Sequence, residues 1–128
     1  MTVKVVTDST SDIPASLAQE LDITIVPQNV HFGQETFKDG VDLLPEEFYP
    51  RLVGSPVLPT TSQATAGNFT QVYEDLTKSG DEILSIHISS KLSGTHNSAL
   101  LGRQEIKKSR IEVIDSMQVS MGLGLIVM

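Results

Sequence analysis

Cysteine is absent from the 128-residue chain, which excludes disulfides, thiolate catalysis and zinc–thiolate sites. Positive charge is also scarce, since nine Lys and Arg stand against 16 Asp and Glu and give a formal net charge of −7. This balance argues against nucleic acid or an anionic membrane surface as a partner. The sequence has neither the long apolar stretch of a signal peptide nor a run long enough to span a membrane. We therefore expect a cytoplasmic protein without membrane insertion.

The length and composition predict one globular domain that covers residues 1–128. Hydrophobic residues make up 39% of the chain and charged residues 20%, which is typical of a folded protein. Apolar runs alternate with helical patterns, which predicts an α/β fold whose mostly parallel sheet has helices on both faces. The predicted strands are 3–7, 23–26, 83–88 and 111–114, with a hairpin over 29–37. The predicted helices are 15–21, 45–53, 66–78, one from Gly94 onward, and 117–128.

The stretch over residues 82–99 organises the rest of the chain. It reads as a buried strand, a hydroxyl-rich turn and a helix, with Ser93 where a helix N-cap belongs. Gly94 allows a ligand to approach the backbone closely. Free N–H groups and the positive end of the helix dipole favour an anionic group in the turn. The alternative is that Ser93 only caps the helix.

Polar residues also follow two other predicted strands, at residues 8–11 and 115–116. The carboxyl ends of neighbouring parallel strands share one edge of a sheet, where ligands of α/β folds bind. A loop over residues 54–65, rich in Pro, Ser and Thr, adds further hydroxyls and is predicted to be functional. The candidate ligand-binding residues are Thr61, Ser62, Ser93 and Gly94, supported by Thr60. Because Lys91 is the only cation nearby in sequence, a carboxylate fits at least as well as a phosphate.

Three other chemistries find weaker support. Residues 8–12 lack the second aspartate of the aspartate-nucleophile motif because Thr10 occupies its place, and they match the phosphate loop of flavodoxin-like folds only loosely. For Asp8 and Asp12, helix capping and turn hydrogen bonds are the preferred interpretation. No Gly-x-Ser-x-Gly elbow occurs, and His87 is predicted to be a packed core residue.

Neither a catalytic nor a metal-binding set is predicted. His31 and His96 show no triad signature, although His96 lies in the first turn of a predicted helix. The acidic residues Asp39, Asp42, Glu46 and Glu47 lack the spacing of a calcium loop and are interpreted as a solvated face.

Five segments in order resemble the DegV family, the bacterial fatty-acid-binding proteins that serve as the binding subunit of fatty acid kinase. These segments are DSTSDIP (8–14), VP (26–27), PTTSQ (59–63), SSKLSGT (89–95) and IDS (114–116). The resemblance extends from Val3 to about Gly124.

The resemblance implies the N-terminal α/β domain of a two-domain protein. One long-chain fatty acid would lie between the two domains, with its carboxylate held by hydroxyls that match Thr61 and Ser93. A separate kinase subunit would then form an acyl phosphate, so the carrier itself would be no enzyme and would need no cofactor. The alternative function is a small α/β enzyme acting on a phosphorylated or nucleotide ligand at the strand carboxyl ends.

Members of this family are substantially longer than 128 residues, and their C-terminal domain has no counterpart in this chain. We therefore expect the chain alone to bind fatty acid only weakly. We also expect the apolar segment 117–128 to favour self-association, because it would normally pack against the other half.

Overall fold

The computed structural model describes residues 3–39, 41–54, 58–78, 80–107 and 109–128. The strands are β1 (Val3–Asp8), β2 (Ile23–Val26), β3 (Asn29–Phe32), β4 (Glu35–Lys38), β5 (Thr60–Ser62), β6 (Glu82–His87) and β7 (Ile111–Asp115). The helices are α1 (Ala15–Glu20), α2 (Pro45–Gly54), α3 (Ala66–Thr77), α4 (Thr95–Arg103) and α5 (Met121–Val127), with a 3₁₀ turn at Ser9–Ser11.

Four parallel strands form the main sheet in the order β2-β1-β6-β7. Side chains alternate along β6, so Ile83 joins a core with Phe69 of α3 and Ala99 of α4. Ile86 points the other way, into a core that includes Leu123 of α5. The predicted parallel sheet with helices on both faces is therefore confirmed.

A second, antiparallel sheet in the order β4-β3-β5 lies beside the first. The predicted hairpin is present, and Gly33 takes the left-handed backbone conformation of its turn, with φ +62°. The prediction that 54–65 is a loop throughout was wrong, because Thr60–Ser62 pairs with Asn29–His31 as an edge strand. Three polar residues carry no periodic signal, so this strand depends on hydrogen bonds to β3. Residues 55–57 lie outside the described part.

Several helix ends differ from the predictions. Asp12 does not cap α1, since Pro14 occupies the N-cap position without a side-chain hydrogen bond. The C-terminal helix begins at Met121 rather than at 117, because Met117 and Ser120 both have positive φ.

The ends of α3 and α4 are set by residues near Gly80 and Arg103. α3 ends before Gly80, which has φ +84° as expected of a closing glycine, while Ser79 lies outside the described residues. α4 ends at Arg103, which is the basic residue of its last turn. In the described part of the chain, no helix has the length and apolar character that crossing a bilayer requires.

Candidate functional site

The predicted convergence of polar strand ends is confirmed, because β1, β6 and β7 are neighbours. Ser116 donates from its N–H and its Oγ to the carbonyl of His87, at 3.2 and 2.7 Å. Ser90 donates through its Oγ to the Asp115 carboxylate at 2.5 Å. That hydrogen bond, together with one from the Met117 N–H, lowers the pKa of Asp115. These contacts bind the turn after β6 to the end of β7.

Ser93 lies just before α4 but does not occupy the N-cap position, which belongs to Gly94. The Ser93 Oγ accepts from the Thr95 N–H at 3.2 Å and is 2.9 Å from the Thr95 Oγ1. The prediction of Ser93 as the N-cap is thus corrected by one residue. Its side chain is partly exposed, and its own N–H bonds back to the Ser89 carbonyl at 3.2 Å.

Gln28 connects this turn to the segment that follows β5. Its Oε1 accepts from the Ala64 N–H at 3.1 Å, and its Nε2 donates to the Thr95 Oγ1 at 2.9 Å. The residue is 6% exposed, so both hydrogen bonds are shielded from water. One buried side chain therefore holds residues from the two candidate segments together.

Gln63 forms a second connection between the same segments. Its Nε2 donates to the Ser98 Oγ in α4 at 3.2 Å. A Cβ added to Gly94 would lie 2.5 Å from the Gln63 Oε1. A side chain at position 94 would therefore require the flexible end of Gln63 to move. The end of the Gln63 side chain thus lies directly against the backbone of Gly94.

Thr61 and Ser62 lie on opposite faces of the exposed edge strand β5, because side chains alternate along a strand. Ser62 lies on the face of His31, whose Nε2 is 2.9 Å from the Ser62 Oγ. Thr61 pairs with Val30 in the register of the two strands. The two hydroxyls thus have different surroundings, which sequence spacing alone did not reveal.

A chain of buried polar groups runs beneath the strand ends. The Asp8 Oδ2 lies 2.9 Å from the His87 Nδ1, the His87 Nε2 lies 2.5 Å from the Ser85 Oγ, and the Tyr73 hydroxyl donates to that oxygen at 2.8 Å. Asp8, Tyr73, Ser85 and His87 are all 0% exposed. The prediction that His87 is a packed core residue is confirmed.

The hydrogen-bond donors around Asp8 favour its ionised form. Asp8 accepts from the Ile88 N–H at 3.2 Å, from the Thr10 N–H at 2.9 Å and from the Thr10 hydroxyl. Burial by itself raises the pKa of this carboxyl, but the hydrogen bonds from His87 and Thr10 outweigh burial and lower it. An ionised Asp8 accepts a hydrogen bond from the Nδ1–H of His87. The Nε2 of His87 then accepts a hydrogen bond from the Ser85 hydroxyl.

This arrangement has the residue types of a catalytic triad but not its accessibility. Ser85 is 0% exposed, and its oxygen already accepts from Tyr73, so no substrate carbonyl reaches it. The preferred interpretation of Asp8 is confirmed, since it caps the 3₁₀ turn through Thr10. Asp12 has φ +55° and accepts from the Ser120 Oγ at 2.5 Å, so it joins that turn to the residue before α5.

Among the described residues, no group of three or more His, Asp or Glu is arranged to hold a metal ion. Gln28 was missed from the sequence because a lone glutamine after Val-Pro carries no recognisable signal. Gln63 was visible within the PTTSQ segment, but its partner Ser98 was not.

The DegV family model, described as an uncharacterised protein of the DegV family, matches residues 2–128. The chain is 44% identical over 126 residues to the DegV domain-containing protein TTE1491 of Caldanaerobacter subterraneus subsp. tengcongensis. That match covers 98% of this chain and 45% of the relative, so the chain spans less than half the length of the relative.

Solved structures match over the same share of their length. The structure named DegV, a fatty acid binding protein from Bacillus subtilis, has a TM-score of 0.94 at 35% identity, over 99% of this chain and 45% of that one. A stearic-acid-binding protein from Eubacterium ventriosum has a TM-score of 0.90 at 32% identity, with the same coverage. The family match, the curated relative and these structures agree with the five sequence segments, and the chain belongs to the DegV family.

Proposed function

We propose that this chain binds a long-chain fatty acid whose carboxylate is held by the hydroxyls of Thr61 and Ser93. The observation that carries the proposal is the pair of glutamine bridges. Gln28 and Gln63 hold the β5 segment and the start of α4 side by side. Solved relatives at 32–38% identity that are described as fatty-acid-binding proteins support the same ligand class.

The hydroxyl groups can bind an anion by donating hydrogen bonds, without a cationic side chain. Thr95 receives a hydrogen bond from Gln28, so its own O–H can donate to the Ser93 Oγ. Ser93 then keeps its O–H to donate to a carboxylate oxygen, and Thr61 donates to the other. In this proposal, Gly94 acts by making room for Gln63. Ser62 contributes only indirectly, through its exposed contact with His31 on the other face of β5.

The acyl tail supplies most of the affinity in this scheme. Removing about 15 methylenes from water at ~0.8 kcal/mol each contributes roughly 12 kcal/mol before association costs are subtracted. One or two hydrogen bonds from hydroxyls contribute about 1 kcal/mol each. The hydroxyls therefore orient the acid, and a second wall for its tail governs how tightly it is held.

The whole protein would present the bound acid to a separate fatty acid kinase, which would form the acyl phosphate. In this role the chain carries its ligand and does not convert it. Because the chain spans 45% of its relatives, we expect its affinity to be far below that of a two-domain homologue. Stoichiometric fatty acid in the purified chain would contradict this expectation.

The experiment compares Thr61→Ala and Ser93→Ala with Thr60→Ala in palmitate titrations. Thr60 is the matched control because it lies next to Thr61 but on the other face of β5. We expect the first two variants to weaken binding by about tenfold, and Thr60→Ala to leave it unchanged. Equal affinities in all three would reject this placement of the carboxylate. Bound flavin or phosphate turnover would favour the alternative, an enzyme acting on a nucleotide or phosphorylated ligand.

The C-terminal segment offers an apolar surface for a partner. Leu125 is 67% exposed, Ile126 50% and Met117 53%. We propose that this surface lets the chain self-associate when nothing else covers it. Light scattering across a concentration series tests this, and a monomer at every concentration would contradict it.

A further inference from the structure

A cleft of about 780 Å³ lies apart from the candidate carboxylate site. Its apolar lining includes Ala18 of α1, Ile23 and Ile25 of β2, and Val41 and Leu44. Thr61, Ser62, Ser93 and Gly94 do not line it. Clefts that bind small molecules have volumes of about 300–1,000 Å³ and mostly apolar walls, so this one has the size and surface of a ligand site.

The polar part of the cleft carries charge of one sign. Asp12, Asp39 and Glu46 line it, and none of the described residues that line it is a Lys or Arg. Asp39 is half-buried and receives a hydrogen bond from Ser9. Burial and the nearby charge of Asp12 together raise the pKa of Asp39. A ligand that brings a positive charge to this point would relieve the repulsion between the two carboxylates.

We propose that this cleft binds an alkylammonium, with its apolar chain against Ala18 and Ile23 and its cationic head between Asp12 and Asp39. The apolar walls remove the chain from water, while the carboxylates select a cationic head. A fatty acid would place its carboxylate among three others, so it is disfavoured here. The ligand chemistry of this cleft is thus opposite to that of the proposed carboxylate site.

The probes are octylammonium, 1-octanol and octanoate, each titrated into the full 128-residue chain below its micelle-forming concentration. They share a chain of eight carbons and differ in the charge of the head group. Binding is followed by calorimetry and by NMR shifts of the Ala18 and Ile23 methyl groups. We expect saturable binding of octylammonium, about tenfold tighter than that of octanoate, with 1-octanol in between. Added salt should reduce the difference between the two charged probes.

Two variants separate charge from general apolar binding. Val41→Lys adds a positive charge of the protein itself at the cleft. This charge should repel octylammonium and weaken its binding by tenfold or more. Val53→Lys is the matched control, because Val53 is 88% exposed and does not line the cleft. Val41 is also exposed, at 64%, so neither variant should unfold the chain. Asp39→Asn should weaken octylammonium binding by about threefold and leave 1-octanol unaffected.

Three results would overturn the proposal. The first is the lack of saturable octylammonium binding, and the second is octanoate binding as tight as that of octylammonium. The third is an equal response of the Val41→Lys and Val53→Lys variants. Because this cleft contains none of the proposed carboxylate-binding residues, its failure leaves the fatty acid proposal intact.

Discussion

Two histidines in this chain make similar hydrogen bonds in opposite surroundings. His87 lies between Asp8 and Ser85 with 0% exposure. His31 lies between Thr36 and Ser62, 2.9 Å from each hydroxyl, and is partly exposed. Burial makes the partners of His87 indispensable, because water cannot replace them. The partners of His31 can be replaced by water, so the same residue type is structural in one place and adaptable in the other.

The difference extends to the groups around each histidine. The chain from Asp8 to Tyr73 lies inside the core beside Phe69, whose ring meets the His87 ring edge to face at 5.1 Å. Around β5, hydroxyls are exposed and free to exchange partners. A site that binds and releases an acid requires exposed hydroxyls like those around β5. The buried hydrogen bonds around His87 hold in place the strand ends that support this site.

Asp8→Ala should have the largest effect on stability. It leaves the His87 Nδ1–H and the backbone N–H groups of Thr10 and Ile88 without their acceptor in a dry core. We expect the free energy of unfolding to fall by about 3–5 kcal/mol, because each buried donor that loses its acceptor costs about 1–3 kcal/mol. Urea unfolding measures this. Asp75→Ala is the control, because Asp75 lies in α3 and pairs with Lys78 at the surface, and it should cost less than about 1 kcal/mol.

The lowered pKa of Asp8 gives this contribution a pH dependence. Since the folded pKa lies below the unfolded value of 3.8, the stabilisation is complete above about pH 4 and is lost as the pH falls through the folded pKa. The wild-type chain should therefore lose stability in acid more steeply than Asp8→Ala. Parallel acid profiles would contradict an ionised Asp8.

Tyr73 should produce the next largest effect, in alkaline solution. Burial raises its pKa from 10.0 to about 12, so the unfolded chain releases this proton first as the pH rises. The free energy of unfolding should fall by roughly 2–3 kcal/mol between pH 10 and 12, at about 1.4 kcal/mol per unit. Tyr73→Phe should remove this part of the slope. Tyr49→Phe should retain it, because Tyr49 is 64% exposed.

The sequence predicted the elements more completely than their polar contacts. β2 was predicted with its observed bounds, because a short β-branched run before a proline is a strong local signal. The order of the strands put the polar ends of β1, β6 and β7 at one edge. The strand β5 was missed, since three hydroxyl residues form a strand only through hydrogen bonds to β3.

The side-chain partners within the site depend on distant parts of the chain. Gln28 bonds to Thr95, 67 residues away, and Asp8 bonds to His87, 79 residues away. No local pattern encodes such pairs. The helix start at Ser93 and Gly94 was also misplaced by one residue, because both Ser and Gly are favoured caps.

Ser93→Ala should have a smaller effect on stability and a larger one on binding. The buried Thr95 loses the acceptor that the partly exposed Ser93 gives its N–H, so we expect a loss of about 1–2 kcal/mol. If Ser93 holds the carboxylate as proposed, palmitate affinity should fall while the fold persists. Denaturation and palmitate titration on the same sample separate the two effects. An unchanged affinity would leave Ser93 with a structural role alone.

Ser62→Ala should have the smallest effect on stability. It tests whether the partly exposed His31 can exchange a hydroxyl partner for water. The variant removes the hydroxyl that lies 2.9 Å from the His31 Nε2, but that nitrogen can bond to water instead. We expect a change in the free energy of unfolding within about 0.5 kcal/mol. Palmitate affinity should change less than in Thr61→Ala, because Ser62 lies on the other face of β5. A loss of affinity equal to that of Thr61→Ala would mean that the two hydroxyls act on the same ligand despite the alternation of the strand.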